Sequence, residues 1–185
     1  IDNSVDEAIA GFAKNVFVVI QQDNEIAICD DGRGIPIGIH KKTGLSALEV
    51  AMTKLHAGAK FENRAYQASG GLHGIGASAV NALSSEMKVE VIRNKKLYYQ
   101  EYIRGKAQTK VIVNDLPAEK KDFYAFSSGT KTTFIPDKRI FKEIKFSFKK
   151  IKHVLRERAY LVAGLFFHLY DKRTNTECHF YFDGG

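Results

Sequence analysis

Ser69-Gly70-Gly71-Leu72-His73-Gly74-Ile75-Gly76-Ala77-Ser78-Ala79-Val80-Asn81-Ala82-Leu83 joins a glycine-dense loop directly to an amphipathic helix. Glycine permits positive φ angles and lets a ligand approach the backbone closely. The first turn of a helix offers unpaired N–H groups and a partial positive charge. The stretch therefore predicts an anion site for which phosphate is the usual ligand, although a mobile surface loop explains the glycines equally well.

Two common phosphate loops are excluded by the residues around these glycines. No Gly-Lys-Ser/Thr follows them, so the stretch is not a Walker A loop. The spacing Gly71-x-x-Gly74-x-Gly76 reverses the dinucleotide-binding fingerprint, and no acidic residue ends a second strand at the required distance. A nucleotide bound here requires a different fold.

The composition is that of a globular protein. The chain has 185 residues, of which 44% are hydrophobic and 26% are charged, and this predicts one domain, or one domain plus a fragment. No apolar run reaches the length of a membrane span and no signal peptide is visible. Cys29 and Cys178 lack metal-site spacing and are interpreted as reduced core thiols of a cytoplasmic protein.

The net charge of +7 has two interpretations. It fits a polyanionic partner such as DNA, and it equally fits a lysine-rich solvated surface. The chain begins inside an apparent helix and ends at Gly184-Gly185, so we expect residues 1–185 to be one domain truncated at both ends.

The periodicity of the apolar residues predicts alternating helices and long strands. Helical spacing links Ile1 to Phe12, a capping box opens a helix at Ser46, and a further helix is predicted over 148–163. Predicted strands cover 16–21, 25–29, 88–93, 97–104, 107–113, 130–135, 166–170 and 177–182. This pattern predicts an α+β fold, a two-layer α/β sandwich whose mixed, mostly antiparallel sheet is covered by helices on one face.

Two further segments are suited to ligand binding. Asp30-Asp31-Gly32-Arg33-Gly34-Ile35-Pro36 is a tight turn that places two carboxylates at the end of an apolar strand, although surface turns often contain Asp-Gly. Residues 57–69 are polar, aperiodic and flanked by glycine, which is typical of a lid over a ligand.

Three elements of the sequence resemble, in their order, the motifs of one ATPase family: Asn3, Asp30-x-Gly32-x-Gly34 and Gly71-x-x-Gly74-x-Gly76. Its members are gyrase, the large heat-shock chaperone ATPases, histidine kinases and MutL, and their ATP-binding fold is the Bergerat type. Within the family, the runs 2–8, 55–61 and 70–76 are similar to the type II topoisomerases, although Ala59 stands where a second glycine is usual. Residues 60–69, 153–155 and 175–177 resemble the topoisomerase IV B protein (ParE) more than the gyrase B protein, whereas Ile35 is gyrase-like.

This resemblance implies ATP and Mg²⁺ as cofactors. It implies that Asn3 holds the metal and that Asp30 accepts a hydrogen bond from the adenine amino group. Arg33, paired with Glu7, would lie over the adenine ring, while the hydroxyl of Thr130 would support Asp30 through water. Considered alone, the same residues fit a helix-surface amide, a turn aspartate and an exposed turn arginine.

The remaining residues of the implied site surround the base, the ribose and the phosphates. Gly34, Ile35 and Pro36 would form a wall of the adenine pocket, and Lys60 and Tyr66 in the lid would approach phosphate and ribose, or equally face solvent. The phosphate loop would comprise Gly71, Leu72, His73, Gly74, Ile75, Gly76 and Ala77. The family's general-base glutamate falls upstream of Ile1, so the resemblance implies no catalytic base within residues 1–185 and ATP binding without efficient hydrolysis.

The implied whole protein is an ATP-hydrolysing bacterial type II topoisomerase, an isomerase that couples ATP to DNA strand passage, relaxation and decatenation. Its partners would be DNA, the DNA-cleaving A subunit of topoisomerase IV and a second copy joined through an ATP-dependent gate. The resemblance also implies that inhibitors can bind the ATP site and that the protein does not associate with membranes. Another ATPase of the same fold and a nucleic-acid-binding module that uses no nucleotide remain as alternatives.

Overall fold

The computed structural model describes residues 1–41, 43–54, 75–119 and 121–184. Within these ranges the chain forms four α-helices: α1 (Asp2–Ile9), α2 (Ala47–Thr53), α3 (Gly76–Ala82) and α4 (Phe148–Leu161). The strands are β1 (Asn15–Ile20), β2 (Ile26–Asp30), β3 (Ser84–Arg93), β4 (Lys96–Ile103), β5 (Lys106–Ala107), β6 (Ile112–Asp115), β7 (Gly129–Pro136), β8 (Phe166–Asp171) and β9 (Thr176–Phe180). A short 3₁₀ helix, Asp122–Ala125, precedes β7.

All nine strands join one sheet in the order β5-β4-β3-β7-β2-β1-β8-β9, with β6 also paired to β4. Among the strands that the structure describes, every pairing is antiparallel except that of β1 with β8, which starts at Asn15 opposite Phe166 and is parallel. The prediction of a mixed, mostly antiparallel sheet is therefore confirmed. This order places β2, which carries Asp30, in the interior of the sheet between β1 and β7.

The four α-helices pack on one face of the sheet, as predicted. Val5 of α1 and Leu155 of α4 are buried against β1 and β8, whose alternate residues point to this face. Leu48 and Met52 of α2 form a second apolar cluster with β3. Burial of these alternating apolar side chains is the main force that holds the helical layer on the sheet.

The opposite face carries a smaller cover that the periodicity does not predict. Phe123 in the 3₁₀ helix is buried against Cys29, Ile92 and Leu97, which point away from the helical layer. The two cysteines form no disulfide, and Cys178 is only partly buried rather than in the core.

The prediction of one strand over 107–113 is wrong. The chain pairs with β4 twice, as β5 and again as β6, and leaves the ladder between them. The side chain of the buried Gln100 donates a hydrogen bond to the carbonyl oxygen of Thr109 at 2.7 Å. Because this carbonyl is satisfied by a side chain, the backbone here does not need a strand partner. The first helix is also shorter than its apolar spacing suggests, since α1 ends at Ile9 before Phe12.

Among the residues described, no helix has the length and apolarity required to cross a lipid bilayer.

Candidate functional site

Asp30 is the buried centre of the site. It is the last residue of β2, and its side chain is nearly inaccessible because β1, β7 and α1 surround it, with an exposed fraction of 4%. The backbone N–H of Gly32 donates to Asp30 Oδ1 at 3.1 Å, and the Ser4 hydroxyl and the Thr130 backbone also hydrogen-bond to the carboxylate. Burial raises the pKa of Asp30 to about 6, although these hydrogen bonds act in the opposite direction.

Glu7 and Arg33 form a held ion pair beside this carboxylate. Nη2 and Nε of Arg33 lie 2.8 and 3.1 Å from the two carboxylate oxygens of Glu7, and the backbone N–H of Arg33 donates to Glu7 at 3.2 Å. The guanidinium carbon lies 3.6 Å from the ring centroid of Phe12, so the planar group stacks on an aromatic face. The predicted pairing of Arg33 with Glu7 is present, and it fixes the orientation of the guanidinium plane.

The turn after β2 is held tightly against β3 and β7. Gly34 has a φ of +75°, and a Cβ placed on it would stand 2.8 Å from a Val91 methyl group, so this position requires glycine. Its carbonyl accepts a hydrogen bond from Nη1 of Arg93 at 2.9 Å. The backbone N–H of Ile35 donates to the Thr130 hydroxyl at 3.1 Å. These contacts hold Ile35 and Pro36 beside Asp30 at the edge of the apolar cluster beneath α2.

Thr130 contacts both Asp30 and the turn, and the support through water that the resemblance implies stays a prediction. Its hydroxyl accepts a hydrogen bond from the Ile35 amide, and its backbone hydrogen-bonds to Asp30. The reason is the β2–β7 register, which places Asp30 directly opposite Thr130. Thr130 therefore organises both the carboxylate and the turn.

Asn3 and Glu7 lie one helical turn apart on α1, and the Asn3 side chain is exposed. Its amide oxygen is a ligand type that Mg²⁺ accepts, and Mg²⁺ in nucleotide sites is held by one or two protein oxygens together with phosphates and water. Among the described ranges, no cluster of three or more His, Cys, Asp or Glu side chains could hold a metal. The exposed amide oxygen of Asn3 is therefore compatible in donor type with a magnesium ion that arrives with a nucleotide.

The predicted phosphate loop is described only at its end. Ile75 precedes α3, and Gly76 and Ala77 form its first turn, with no side chain capping the helix start. Inside α3, the side chain of Asn81 donates to the Met52 carbonyl at 2.9 Å and ties this helix to α2. The other predicted site residues lie outside the described residues: Lys60, Tyr66, Gly71, Leu72, His73 and Gly74.

Three residues at the site have no role implied by the resemblance. Ser4 is buried and bonds Asp30, Phe12 carries the Arg33 guanidinium, and Arg93 fixes the carbonyl of Gly34. Ser4 could have been found, because a hydroxyl one turn before Ala8 lies on the apolar side of the predicted helix. Phe12 and Arg93 carry no local signal, since their contacts depend on the paths of a loop and a strand.

Comparisons with known proteins identify the family. Residues 1–138 match the family described as "Histidine kinase-, DNA gyrase B-, and HSP90-like ATPase". The B subunit of DNA gyrase from Enterococcus faecalis is 46% identical over 189 residues, and the B subunit of DNA topoisomerase 4 from Pseudomonas aeruginosa is 43% identical over 185 residues. Both alignments cover 100% of this chain, which spans 28% of the length of each relative.

A solved structure shares the fold. The 43K ATPase domain of Thermus thermophilus gyrase B, determined in complex with an aminocoumarin, superposes with a TM-score of 0.83 at 37% sequence identity. The match covers 100% of this chain and 44% of that one. The predicted two-layer fold class is thereby confirmed.

Proposed function

The chain belongs to the family of histidine kinase-, DNA gyrase B- and HSP90-like ATPases, and we propose that it is the ATP-binding domain of the B subunit in a bacterial type II DNA topoisomerase. The observation that carries the proposal is the buried Asp30, a carboxylate that accepts hydrogen bonds from Ser4, Gly32 and Thr130. The exocyclic amino group of adenine would donate a further hydrogen bond to this carboxylate. A base without an amino group at that edge would desolvate the carboxylate without supplying that hydrogen bond, so we expect the pocket to select adenine.

Each neighbouring residue has a definite task in this proposal. Arg33 lies flat over the adenine face, held in that plane by Glu7 and Phe12. Gly34, Ile35 and Pro36 form the wall of the base pocket.

The phosphates and the metal lie towards α1 and α3. Asn3 would hold the Mg²⁺ ion, which would supply positive charge to neutralise the phosphates. By the resemblance of the motifs, the loop 71–77 would surround the phosphates, and Lys60 and Tyr66 would approach the phosphates and the ribose. These assignments extend the resemblance of the motifs to the positions that α1 and β2 place around Asp30.

Nucleotide binding would control a conformational change in the whole protein. In the whole protein, ATP would close a gate between two copies, and hydrolysis would reset it during DNA strand passage with a DNA-cleaving A subunit. This activity places the protein with DNA in the bacterial cytoplasm. Because the related Thermus thermophilus domain was solved with an aminocoumarin, we expect compounds of that class to compete with ATP at the Asp30 pocket.

Two kinds of topoisomerase are candidates for the whole protein. The residues in 60–69, 153–155 and 175–177 favour topoisomerase IV (ParE), and the similarity to several gyrase B proteins supports gyrase equally. The full-length protein reconstituted with each type of A subunit distinguishes them. ATP-dependent decatenation without negative supercoiling identifies topoisomerase IV, and negative supercoiling identifies gyrase.

Calorimetric titration tests the proposed site directly. With Mg²⁺ present, ATP should bind and GTP should bind far more weakly. Asp30→Ala should weaken ATP binding about 10- to 150-fold, the effect of losing a hydrogen bond of roughly 1.5–3 kcal/mol to a charged group. The exposed Asp115→Ala is the matched control and should bind like the unmodified chain. Equal affinities for ATP and GTP, or binding of DNA without any nucleotide binding, would contradict the proposal.

A further inference from the structure

Two histidines face each other on the side of the sheet that the α-helices leave uncovered. His168 of β8 and His179 of β9 are directly opposite in the antiparallel register, the arrangement that brings side chains on one face into contact. Their Nδ1 atoms are 3.1 Å apart. A hydrogen bond between two imidazole nitrogens requires that one of them is unprotonated, so this pair presents at least one lone pair to the gap between the strands.

The partners of His168 identify which nitrogen carries that lone pair. Asp31 is a carboxylate and can only accept, so the side-chain group of Asn15 that lies 2.7 Å from it is the NH₂. The amide oxygen of Asn15 therefore faces Nε2 of His168, 3.2 Å away, and accepts its hydrogen. With the hydrogen on Nε2, Nδ1 of His168 is the bare nitrogen that faces His179.

The ring of His168 is also held by packing. Phe17 stacks on it with a centroid distance of 4.2 Å and an interplanar angle of 5°, and Phe166 meets it edge-on at 4.2 Å. The second oxygen of Asp31 is fixed by the backbone N–H groups of Lys14 and Asn15 at 2.8 and 2.9 Å. The tautomer and the orientation of the His168 ring are therefore fixed before a metal binds. In metal-binding histidines a hydrogen bond from the other ring nitrogen has the same effect.

We propose that His168 and His179 bind a divalent transition-metal ion, Zn²⁺ or Cu²⁺, through their two Nδ1 atoms. Two nitrogens 3.1 Å apart, each about 2.05 Å from a shared ion, subtend roughly 98° at the metal, between the square-planar and tetrahedral values. Water completes the coordination, since no third His, Cys, Asp or Glu joins the pair within the described parts of the chain. The site is therefore reversible and weaker than a structural zinc site.

Binding of the metal ion needs no external base, because no proton has to leave the two histidines. In the metal-free pair the Nδ1 hydrogen belongs to His179 and is donated to His168. When the ion binds, that hydrogen moves to Nε2 of His179, which lies 3.8 Å from the carboxylate of Glu177. Each imidazole then remains neutral, binds through Nδ1 and carries its hydrogen on Nε2, and no proton is released.

Zinc titration of the untagged chain, without nucleotide, tests this site. His179→Asn should lower the affinity for Zn²⁺ at least 10-fold, and Asn15→Ala should lower it about 10- to 100-fold because the tautomer of His168 is released. His153→Asn is the matched control, an exposed histidine on α4 that pairs with Glu157, and should leave the affinity unchanged. With Cu²⁺, electron paramagnetic resonance should show two equivalent imidazole nitrogens in the unmodified chain and fewer in His179→Asn.

Nitrogen NMR of the metal-free chain provides a readout that does not depend on affinity. His168 should show an unprotonated Nδ1 and a protonated Nε2. The proposal is overturned if Nδ1 of His168 is protonated, if His179→Asn binds Zn²⁺ with unchanged affinity, or if Cu²⁺ shows a single coordinated imidazole nitrogen. His179 is exposed, so this variant is expected to fold, and its circular dichroism spectrum and urea midpoint verify that it does.

Discussion

Replacing Asp30 by asparagine is expected to stabilise the nucleotide-free chain at neutral pH and to weaken adenine binding. In the folded chain burial raises the pKa of this carboxyl to about 6, from the ordinary value of 3.8. Ionised Asp30 is therefore less favourable in the folded protein than in the unfolded chain. A neutral amide of the same shape removes that cost.

The size and sign of the effect follow from the shift in pKa. A difference of about 2 pH units corresponds to about 3 kcal/mol at roughly 1.4 kcal/mol per unit. Between pH 3.8 and 6 the folded chain binds more protons at Asp30 than the unfolded chain does, so its stability falls as the pH rises. Below pH 3.8 the free energies of unfolding of the unmodified chain and of Asp30→Asn differ least. Above pH 6 the unmodified chain has lost all of the stability that ionisation of Asp30 removes. Since the amide accepts fewer of the existing hydrogen bonds, we expect a net gain of about 1–3 kcal/mol at pH 7.5.

Urea unfolding at pH 4, 5, 6 and 7.5 measures this directly. The free energy of unfolding of Asp30→Asn minus that of the unmodified chain should rise from pH 4 to pH 6 and then level off. Asp23→Asn, at an exposed turn position with a φ of +56° that asparagine tolerates, is the matched control and should show no such rise. A difference that stays constant across this range would refute the claim that burial of Asp30 raises its pKa.

Three further predictions concern the elements that hold the site. Gly34→Ala should lower the free energy of unfolding by about 2 kcal/mol or more, because it adds a Cβ at positive φ against a methyl group 2.8 Å away. Gly38→Ala, with open space around it, should change the free energy of unfolding little in the same urea assay. Similar losses for both variants would contradict the steric argument. Leu155→Ala should cost about 2–5 kcal/mol in urea unfolding, since the side chain is fully buried between α4 and the sheet, and a loss under about 1 kcal/mol would mean that this helix is not part of the core. A double-mutant cycle of Glu7→Gln and Arg33→Ala should give a coupling of about 1 kcal/mol in unfolding, with additive effects of the two changes as the outcome that rules out a direct pair.

Much of the fold could be predicted because its signals are local. The alternation of apolar residues in 16–20 and 166–170 matches strands with one buried face, and Ser46 caps α2 by accepting the backbone N–H of Glu49 at 3.0 Å, as its capping box predicts. The error over 107–113 has a non-local cause, since it depends on the side chain of Gln100 in the neighbouring strand. A run of residues that alternates like a strand does not reveal that one of its carbonyls is bonded elsewhere.

In the candidate site, too, features set by neighbouring residues were predictable and features set by distant elements were not. The motif order located Asp30, Arg33 and the glycine turn, since those residues are adjacent in the chain and their types suit adenine binding. The burial that raises the pKa of Asp30 depends instead on α1 and β7, which are about 20–30 and about 100 residues away in the chain, and no motif contains it. The same carboxylate therefore has two expected consequences that a sequence cannot separate: in the proposed function it accepts a hydrogen bond from adenine, and without nucleotide its burial lowers the stability of the folded chain. A binding pocket of this kind is stable only because the surrounding sheet and helices supply the free energy that burial of the carboxylate removes.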